Sequence, residues 1–460
     1  MVDEQVREEI ETLLAEQRWA LLGQKMAAVP APDVAEVLER LEPGARSLLF
    51  RALPRALAFE VFSYLEPAQQ EQLLRDLTSA QTRELLAEMP PDDRTDLLAE
   101  LPANVTQRLL ALLPPAELAE ARTLLGYPEN SVGRLMTPDF VAVRPEWTVS
   151  QALDQIRAVG RDAETVDVIY VVDERGRLID DLRLRLLVLA GPNVPVDNLL
   201  DHTFVALRAT DDREEAVRAM EKYDRVALPV VDSDGVLLGI VTVDDVLDVA
   251  EAEATEDFQK LGGLEALDAP YPQIGLLAMI RKRAGWLAAL FLGETLTATA
   301  MSHFEEEIAR AVVLALFVPL IISSGGNSGS QATSLIIRSL ALRELTPRDW
   351  WRVFLRELPT GLALGAILGV IGLVRILTWQ WLGWADYGEH VLLVGLTVLT
   401  SLIGVVLFGT LTGSLLPFIL RRLGFDPASA SAPFVATLVD VTGLVIYFTV
   451  ASIILRGTLL

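Results

Sequence analysis

The 460-residue chain contains no cysteine and only three histidines. Disulfides and thiolate metal sites are therefore excluded. His202, His303 and His390 are scattered, with no HExxH motif and no nucleophile elbow to suggest a hydrolase. No GxxxxGK[ST] loop is present, so nothing points to nucleotide hydrolysis. The opening MVDEQVREEIETLL has neither the basic nor the apolar region of a signal peptide, which predicts that the N-terminal half stays in the cytoplasm. Basic charge is also scarce in that half. Residues 271–460 hold 13 Lys+Arg against 11 Asp+Glu, leaving 26 against 52 in residues 1–270. Such an acidic region does not bind nucleic acid, which needs a basic surface.

What is abundant is hydrophobic sequence, 51% of residues with mean hydropathy +0.36. The length suggests about three domains, and the uneven charge divides an acidic soluble half from a hydrophobic membrane half. Spans of about 17–25 apolar residues are found at Ala284–Ser302, Ala311–Ile337, Leu358–Val374 continuing to Trp384, Val391–Leu420 and Pro427–Leu455. Continuous runs rather than alternation predict five helices and not a β-barrel. The loops carrying Arg281, Lys282 and Arg283, then Arg338 to Arg356, then Arg421 and Arg422, alternate with acidic ones. The positive-inside rule then places the N-terminus in the cytoplasm and the C-terminus outside.

Several residues inside the spans depart from plain lipid-facing helix. Ser323–Ser334 reads SSGGNSGSQATS. It predicts either irregular backbone lining a watery cavity or close packing through small residues. Asn327 within it is a candidate for the lining. Pro319, Pro417 and Pro433 are candidate helix breaks. Asp440 has no Lys or Arg on its own span. An intramembrane carboxylate costs roughly 2.5–3.5 kcal/mol and marks an ion or proton path by default. The alternative is a protonated, hydrogen-bonded Asp. Glu294 is a second candidate, facing a neighbouring helix or held protonated.

In the soluble half Pro43, Pro54, Pro67, Pro90, Pro102 and Pro114 follow a ladder of about twelve residues, with Thr78-Ser79 at the missing rung. Leucine-faced helices of two to three turns between rungs must stack to bury their leucines, giving a helical superhelix. Asp92, Asp93 and Asp96 either cap a helix start or meet a cation. Residues 132–250 repeat a helix–strand–turn–strand plan twice, with strands Val166–Val172 and Ala227–Val231 and turns ERGR and SDGV. The segments LMTPDFVAVRPEWTVSQAL and LPVVDSDGVLLGIVTVDDVLD resemble a pair of CBS domains, regulatory modules that bind nucleotides or ions. The following DDVLDVAEAEATEDFQKLGG predicts an acidic helix leading into the first span. On it Asp245 and Asp248, then Glu253, Glu256 and Asp257, repel one another.

The whole order resembles the MgtE family of magnesium channels. The match is carried by VDDVLDVAEAEATEDFQKLGG at 243–263, SSGGNSGSQATSLIIR at 323–338 and FDPASASAPFVATLVDVTGLVIYF at 425–448. It implies a multidomain fold: an all-α helical domain at 1–130, α+β tandem CBS domains at 131–196 and 197–248, a connecting helix at 249–272, and an α-helical membrane domain of five transmembrane helices at 273–460. It implies a homodimer in the bacterial plasma membrane, in contact with lipid, with the ion path between two sets of five helices. Asp440 matches the pore carboxylate, and Ala436 supplies the carbonyl one turn earlier. Where the family often has Asn, this chain has Ala432, which leaves ion discrimination open. The residues matching the cytosolic Mg²⁺ sensor are Asp212, Glu214 and Asp224, followed by Asp245, Asp248, Glu253, Glu256 and Asp257. ATP is a further ligand the resemblance implies for the CBS pair, at no site the sequence locates.

The chemistry agrees with magnesium, which is usually held by one or two carboxylates plus retained waters. An inside-negative potential favours entry of two charges by about 4.6 kcal/mol at 100 mV. The expected function is a passive Mg²⁺ channel, closed when cytosolic Mg²⁺ bridges the acidic faces. A channel for Mn²⁺ or Co²⁺ and a membrane-anchored ligand sensor that passes nothing are the alternatives.

Overall fold

The computed structural model describes residues 12–13, 16, 18–65, 67–267, 271 and 274–459. Most of the opening segment read for a signal peptide, and residues 268–270 and 272 of the connecting segment, lie outside the described residues. The chain divides into two units, Met1–Glu251 and Ala252–Leu460.

The first unit begins with the stacked helices of the proline ladder. Pro43 and Pro67 are the first helical residues of Pro43–Ala52 and Pro67–Asp76, whereas Pro54, Pro90, Pro102 and Pro114 stand one residue before their helices. The prolines thus start helices, where a missing N–H costs nothing. At the rung without proline, Thr78 accepts from the Gln81 backbone N–H in a capping box. The repeat has a second regularity. Arg46 donates to the Leu38 carbonyl at 2.9 Å, Gln70 to Phe62 at 2.9 Å, Arg94 to Leu86 at 3.2 Å and Thr106 to Leu98 at 3.1 Å. Each reaches back eight residues to a carbonyl near the end of the preceding helix, where helices leave acceptors unpaired. Leucines such as Leu38, Leu49, Leu73, Leu86, Leu98 and Leu109 form the buried core.

Two three-stranded sheets follow. In one, β1 (Ala142–Val143) pairs parallel with β2 (Val168–Val172), which pairs antiparallel with β3 (Leu178–Arg183). In the other, β4 (Leu207–Arg208), β5 (Ala227–Val231) and β6 (Leu237–Thr242) repeat the pattern. Both hairpin turns use one chemistry. Asp173 accepts from Arg175 and Arg177 N–H at 2.8 Å, as Asp232 does from Asp234 and Val236 at 2.8 and 2.9 Å. Gly176 and Gly235 follow with φ +78° and +82°, conformations that favour glycine. Leu178 N–H donates to Gly235 O and Leu237 N–H to Gly176 O, both at 3.0 Å. This reciprocal pair ties the two repeats together. The two-residue strands β1 and β4 are additions to the sequence reading.

Among its described residues the second unit holds five helices long and apolar enough to cross a membrane: Leu276–His303, Val312–Ala341, Pro347–Leu382, Val391–Arg422 and Ala432–Ile454. Val312–Phe317 is a 3-10 turn, and the regular helix runs Val318–Ala341. The SSGGNSGSQATS segment therefore lies within continuous helix, which corrects the reading of irregular backbone. The physical reason is close packing. A Cβ on Gly409 would lie 2.3 Å from Gly325 O, and one on Gly413 2.1 Å from Gly329 O. Ser328 and Thr410 share a 2.6 Å hydrogen bond, and Thr333 donates to Gly413 O at 2.9 Å. Pro319 and Pro433 sit in first turns, and Pro417 lies inside an unbroken helix, so none of the three divides a span.

Candidate ion pathway and acidic control site

Asp440 owes its position to the start of the fifth helix. Ser431 caps that helix by accepting from Phe434 N–H at 3.4 Å, and Pro433 occupies its first turn. Asp440 follows two turns on, half-buried, with Ala436 one turn before it. Gly326 of the second helix faces both. A Cβ there would lie 3.5 Å from the Ala436 Cβ and 4.0 Å from Asp440 Oδ1. Ser330, one turn further, donates to the Ala432 carbonyl at 3.3 Å.

The first helix also reaches this place. A Cβ on Gly293 would meet Thr437 Cγ2 at 2.9 Å. The adjacent Glu294 is exposed, one residue along from this contact. The structure thus gathers Asp440, Ala436 and Ala432 on the fifth helix, with Glu294 next to the Gly293–Thr437 contact. Asn327 is exposed on the next face of the second helix, beside Ser323 at 3.5 Å and one turn from exposed Gln331. Among the described residues no side chain of the first helix Leu276–His303 is buried within the chain. An apolar membrane helix so bare requires lipid or another polypeptide against it.

The acidic cluster of the first unit joins distant parts of the sequence. Pro90, not an aspartate, is the N-cap of Pro91–Glu100, so Asp92 and Asp93 sit in the first turn rather than capping it. Asp92 is buried, and its Oδ1 has no hydrogen-bond partner. Asp93 accepts from Ser63 Oγ at 2.9 Å, and Asp245 from Thr242 Oγ1 at 2.8 Å. Burial first, then the charges of Asp245, Glu164 and Asp93, hold the Asp92 carboxyl well above the usual range. Burial likewise raises Asp245, to about 7, against the Thr242 hydrogen bond and helped by Asp244, Asp93 and Glu164. Asp93, Asp96, Asp248 and Glu164 are all raised, chiefly by burial and then by neighbouring groups that include other carboxylates. Glu164 and Asp244 are members that sequence reading missed. Asp244 carried a signal, being the neighbour of Asp245 at the start of the connecting helix Val243–Leu261; Glu164 carried none.

Other expected sensor residues are placed apart from this cluster or engaged locally. Asp212 caps the helix Arg213–Tyr223, accepting from Glu214 N–H at 3.0 Å, and Glu214 pairs with Arg218. Asp224 ends the same helix with φ +50°, twelve residues and about 18 Å from Asp212. Glu253, Glu256 and Asp257 lie near the end of the connecting helix, in the second unit. Glu256 is paired with Lys260, which also binds Asp426 at 2.6 Å. Burial opposes the charge of Lys260, but the two carboxylates outweigh it and raise its pKa. Among the described residues no three His, Asp or Glu side chains stand in an arrangement ready to hold a metal ion. The carboxylates of the first unit are gathered, and a cation that neutralised them would relieve their repulsion.

Five membrane-length helices, carried with paired CBS-like sheets and an acidic helical repeat, are the architecture of a multi-pass membrane protein with a regulatory soluble region. Comparison with known proteins agrees over most of the chain. A model of the MgtE divalent cation transporter domain matches residues 318–450, one of the MgtE intracellular N domain matches 29–130, and one of the CBS domain matches 132–185 and 196–252. The magnesium transporter MgtE of Thermus thermophilus is 46% identical over 339 residues, 74% of this chain and 73% of that protein. That of Enterococcus faecalis is 34% identical over 341 residues, 74% and 72% of the two chains. A crystal structure of the cytosolic domain of the Mg²⁺ channel MgtE in complex with ATP superposes with TM-score 0.51 at 40% identity, covering 52% of this chain and 98% of that one. The chain belongs to the MgtE family of divalent cation transporters. It is a transporter.

Proposed function

We propose that this protein is a Mg²⁺ channel that admits the ion passively to the cytoplasm and closes when cytosolic Mg²⁺ is high. The observation that carries the pathway is the meeting of Asp440, Ala436 and Gly326 between two membrane-length helices, with Glu294 next to the Gly293–Thr437 contact. Glycine at 326 sets no side chain against Asp440, and Mg²⁺ is an ion usually held by one or two carboxylates with retained waters. Two copies of the chain complete the pathway, which gives the bare first helix a partner and places two Asp440 carboxylates around one cation. The similarity to magnesium transporters supports Mg²⁺ as the ion.

Control lies in the acidic cluster. Asp92, Asp93 and Asp96 from the 1–130 helical domain face Asp245 and Asp248, which follow the CBS domains of 131–196 and 197–248. Mg²⁺ between them favours the gathered, closed state; its loss leaves the carboxylates to repel. The ion must bind the closed state more tightly, or it shifts nothing. The connecting segment 249–272 passes this change to the membrane domain of 273–460, the N-terminus being cytoplasmic and the C-terminus outside. ATP binding by the CBS pair is supported by the similar domain solved with ATP. Replacing Asp440 by Ala tests the pathway: flux into liposomes is lost while Mg²⁺-dependent compaction of the soluble region remains. Unchanged flux removes Asp440 from the mechanism.

A further inference from the structure

The end of the connecting helix is seated on the membrane unit by three kinds of interaction within residues 252–460. Leu261 packs on a cluster of Ile337, Ala428 and Ala430 with Leu416 and Leu420. Gly263, with φ +76°, lies so close to the first and fifth membrane helices that a Cβ would fall 2.7 Å from Trp286 Nε1 and 3.5 Å from Pro433. Lys260 Nζ binds Asp426 Oδ2 at 2.6 Å and is also paired with Glu256. Asp426 is itself fixed, its Oδ1 accepting from Ala428 N–H at 2.8 Å. The turn it caps precedes Ser431 and Pro433, where the helix bearing Asp440 begins.

We propose that Lys260 is a built-in cation that fastens the end of the connecting helix to the entrance of the fifth membrane helix without any metal. Glu256 and Asp426 approach each other across 170 positions of sequence, and like charges so placed need a cation between them. Elsewhere on the acidic surface that cation is a free divalent ion; here the chain supplies its own ammonium. The seat at 260–263 is therefore permanent, and a metal-driven movement of the connecting helix pivots about it. This rests on the channel reading only for its effect on flux. Seating itself is measurable without transport.

The absence of native cysteine makes the test direct. Ala428, buried under Leu261, is replaced by Cys in the full-length protein in detergent, and maleimide labelling is timed in EDTA and in millimolar Mg²⁺. With Lys260 present, labelling is slow in both. Lys260→Gln makes it about fivefold faster in EDTA, as expected for loss of a partly buried ion pair, and Mg²⁺ restores protection by bridging the freed carboxylates. Lys260→Arg, which keeps the cation, is again slow in EDTA. Slow labelling of Lys260→Gln in EDTA, or fast labelling of Lys260→Arg, overturns the proposal. Wild-type Lys260 with Mg²⁺-dependent labelling also overturns it, because the seat would then need metal. If the channel reading alone is wrong, the labelling pattern is unchanged and only the flux consequence is lost. That consequence is a Lys260→Gln channel needing more internal Mg²⁺ to close.

Discussion

Gly326 and Asp440 face each other across the second and fifth membrane helices, with room for one Cβ only at 4.0 Å from Asp440 Oδ1. A side chain at 326 would close in on the carboxylate that is to meet the cation. Gly326→Ala therefore lowers flux while the helices stay assembled, since 3.5 Å from its Cβ to Ala436 is ordinary contact. Uptake assays set against thermal stability of the solubilised protein check this: flux falls by at least about tenfold and the melting temperature moves little.

Gly413 behaves differently. Its Cβ would meet Gly329 O at 2.1 Å, a backbone atom that cannot give way. Gly413→Ala is expected to push the second and fourth membrane helices apart at a cost of about 1–3 kcal/mol or more. Lowered melting temperature in detergent is the readout, and an unaltered one would contradict the packing described.

Arg94 is almost fully buried, donating to Leu86 and Met89 carbonyls and pairing with Glu120. Arg94→Ala leaves those acceptors unpaired and should destabilise the helical repeat by roughly 3 kcal/mol. Arg40, exposed and paired with exposed Glu36, should cost under about 0.5 kcal/mol on the same change. Denaturant unfolding of the two variants separates them.

The raised carboxylates set a pH dependence. A group whose folded pKa exceeds its unfolded value binds more protons folded, so stability falls as pH rises toward the folded pKa. For Asp245, at about 7 when folded, the loss is on the order of 2–4 kcal/mol between about pH 4 and pH 8. Hydrogen exchange of Pro91–Glu100 in the full chain in EDTA should therefore quicken from acid to alkaline pH beyond its intrinsic rise. Asp245→Asn flattens that dependence, and so does Mg²⁺.

Much of this was legible in the sequence, for local reasons. The proline ladder, both hairpins and the five spans are written in short-range spacing and in runs of hydropathy. The SSGGNSGSQATS segment misled because serine and glycine are poor helix formers in water. Within a bilayer the backbone must satisfy its own hydrogen bonds, and glycines there serve the approach of Gly325 to Gly409. Strands β1 and β4 were too short to show a period. The meeting of Glu164 with Asp93 and Asp244, and of Lys260 with Asp426, joins residues far apart in the chain. No local pattern announces such pairs.

Ala432 offers a test of ion choice. Its carbonyl is held by Ser330, while its methyl presents nothing polar. Ala432→Asn adds a side-chain oxygen one turn before Ala436 and is expected to favour Mg²⁺ over Ca²⁺ and Mn²⁺ in competition uptake by severalfold. An unchanged order of competition would place position 432 outside the selective shell.

The central claim is tested most directly by Mg²⁺ uptake into liposomes holding the purified protein, with internal Mg²⁺ varied under an inside-negative potential. Uptake that is rapid at low internal Mg²⁺ and stops as it rises is the expected result. No uptake at any internal concentration, with Mg²⁺ binding to the soluble region intact, would contradict the channel and leave a membrane-anchored sensor.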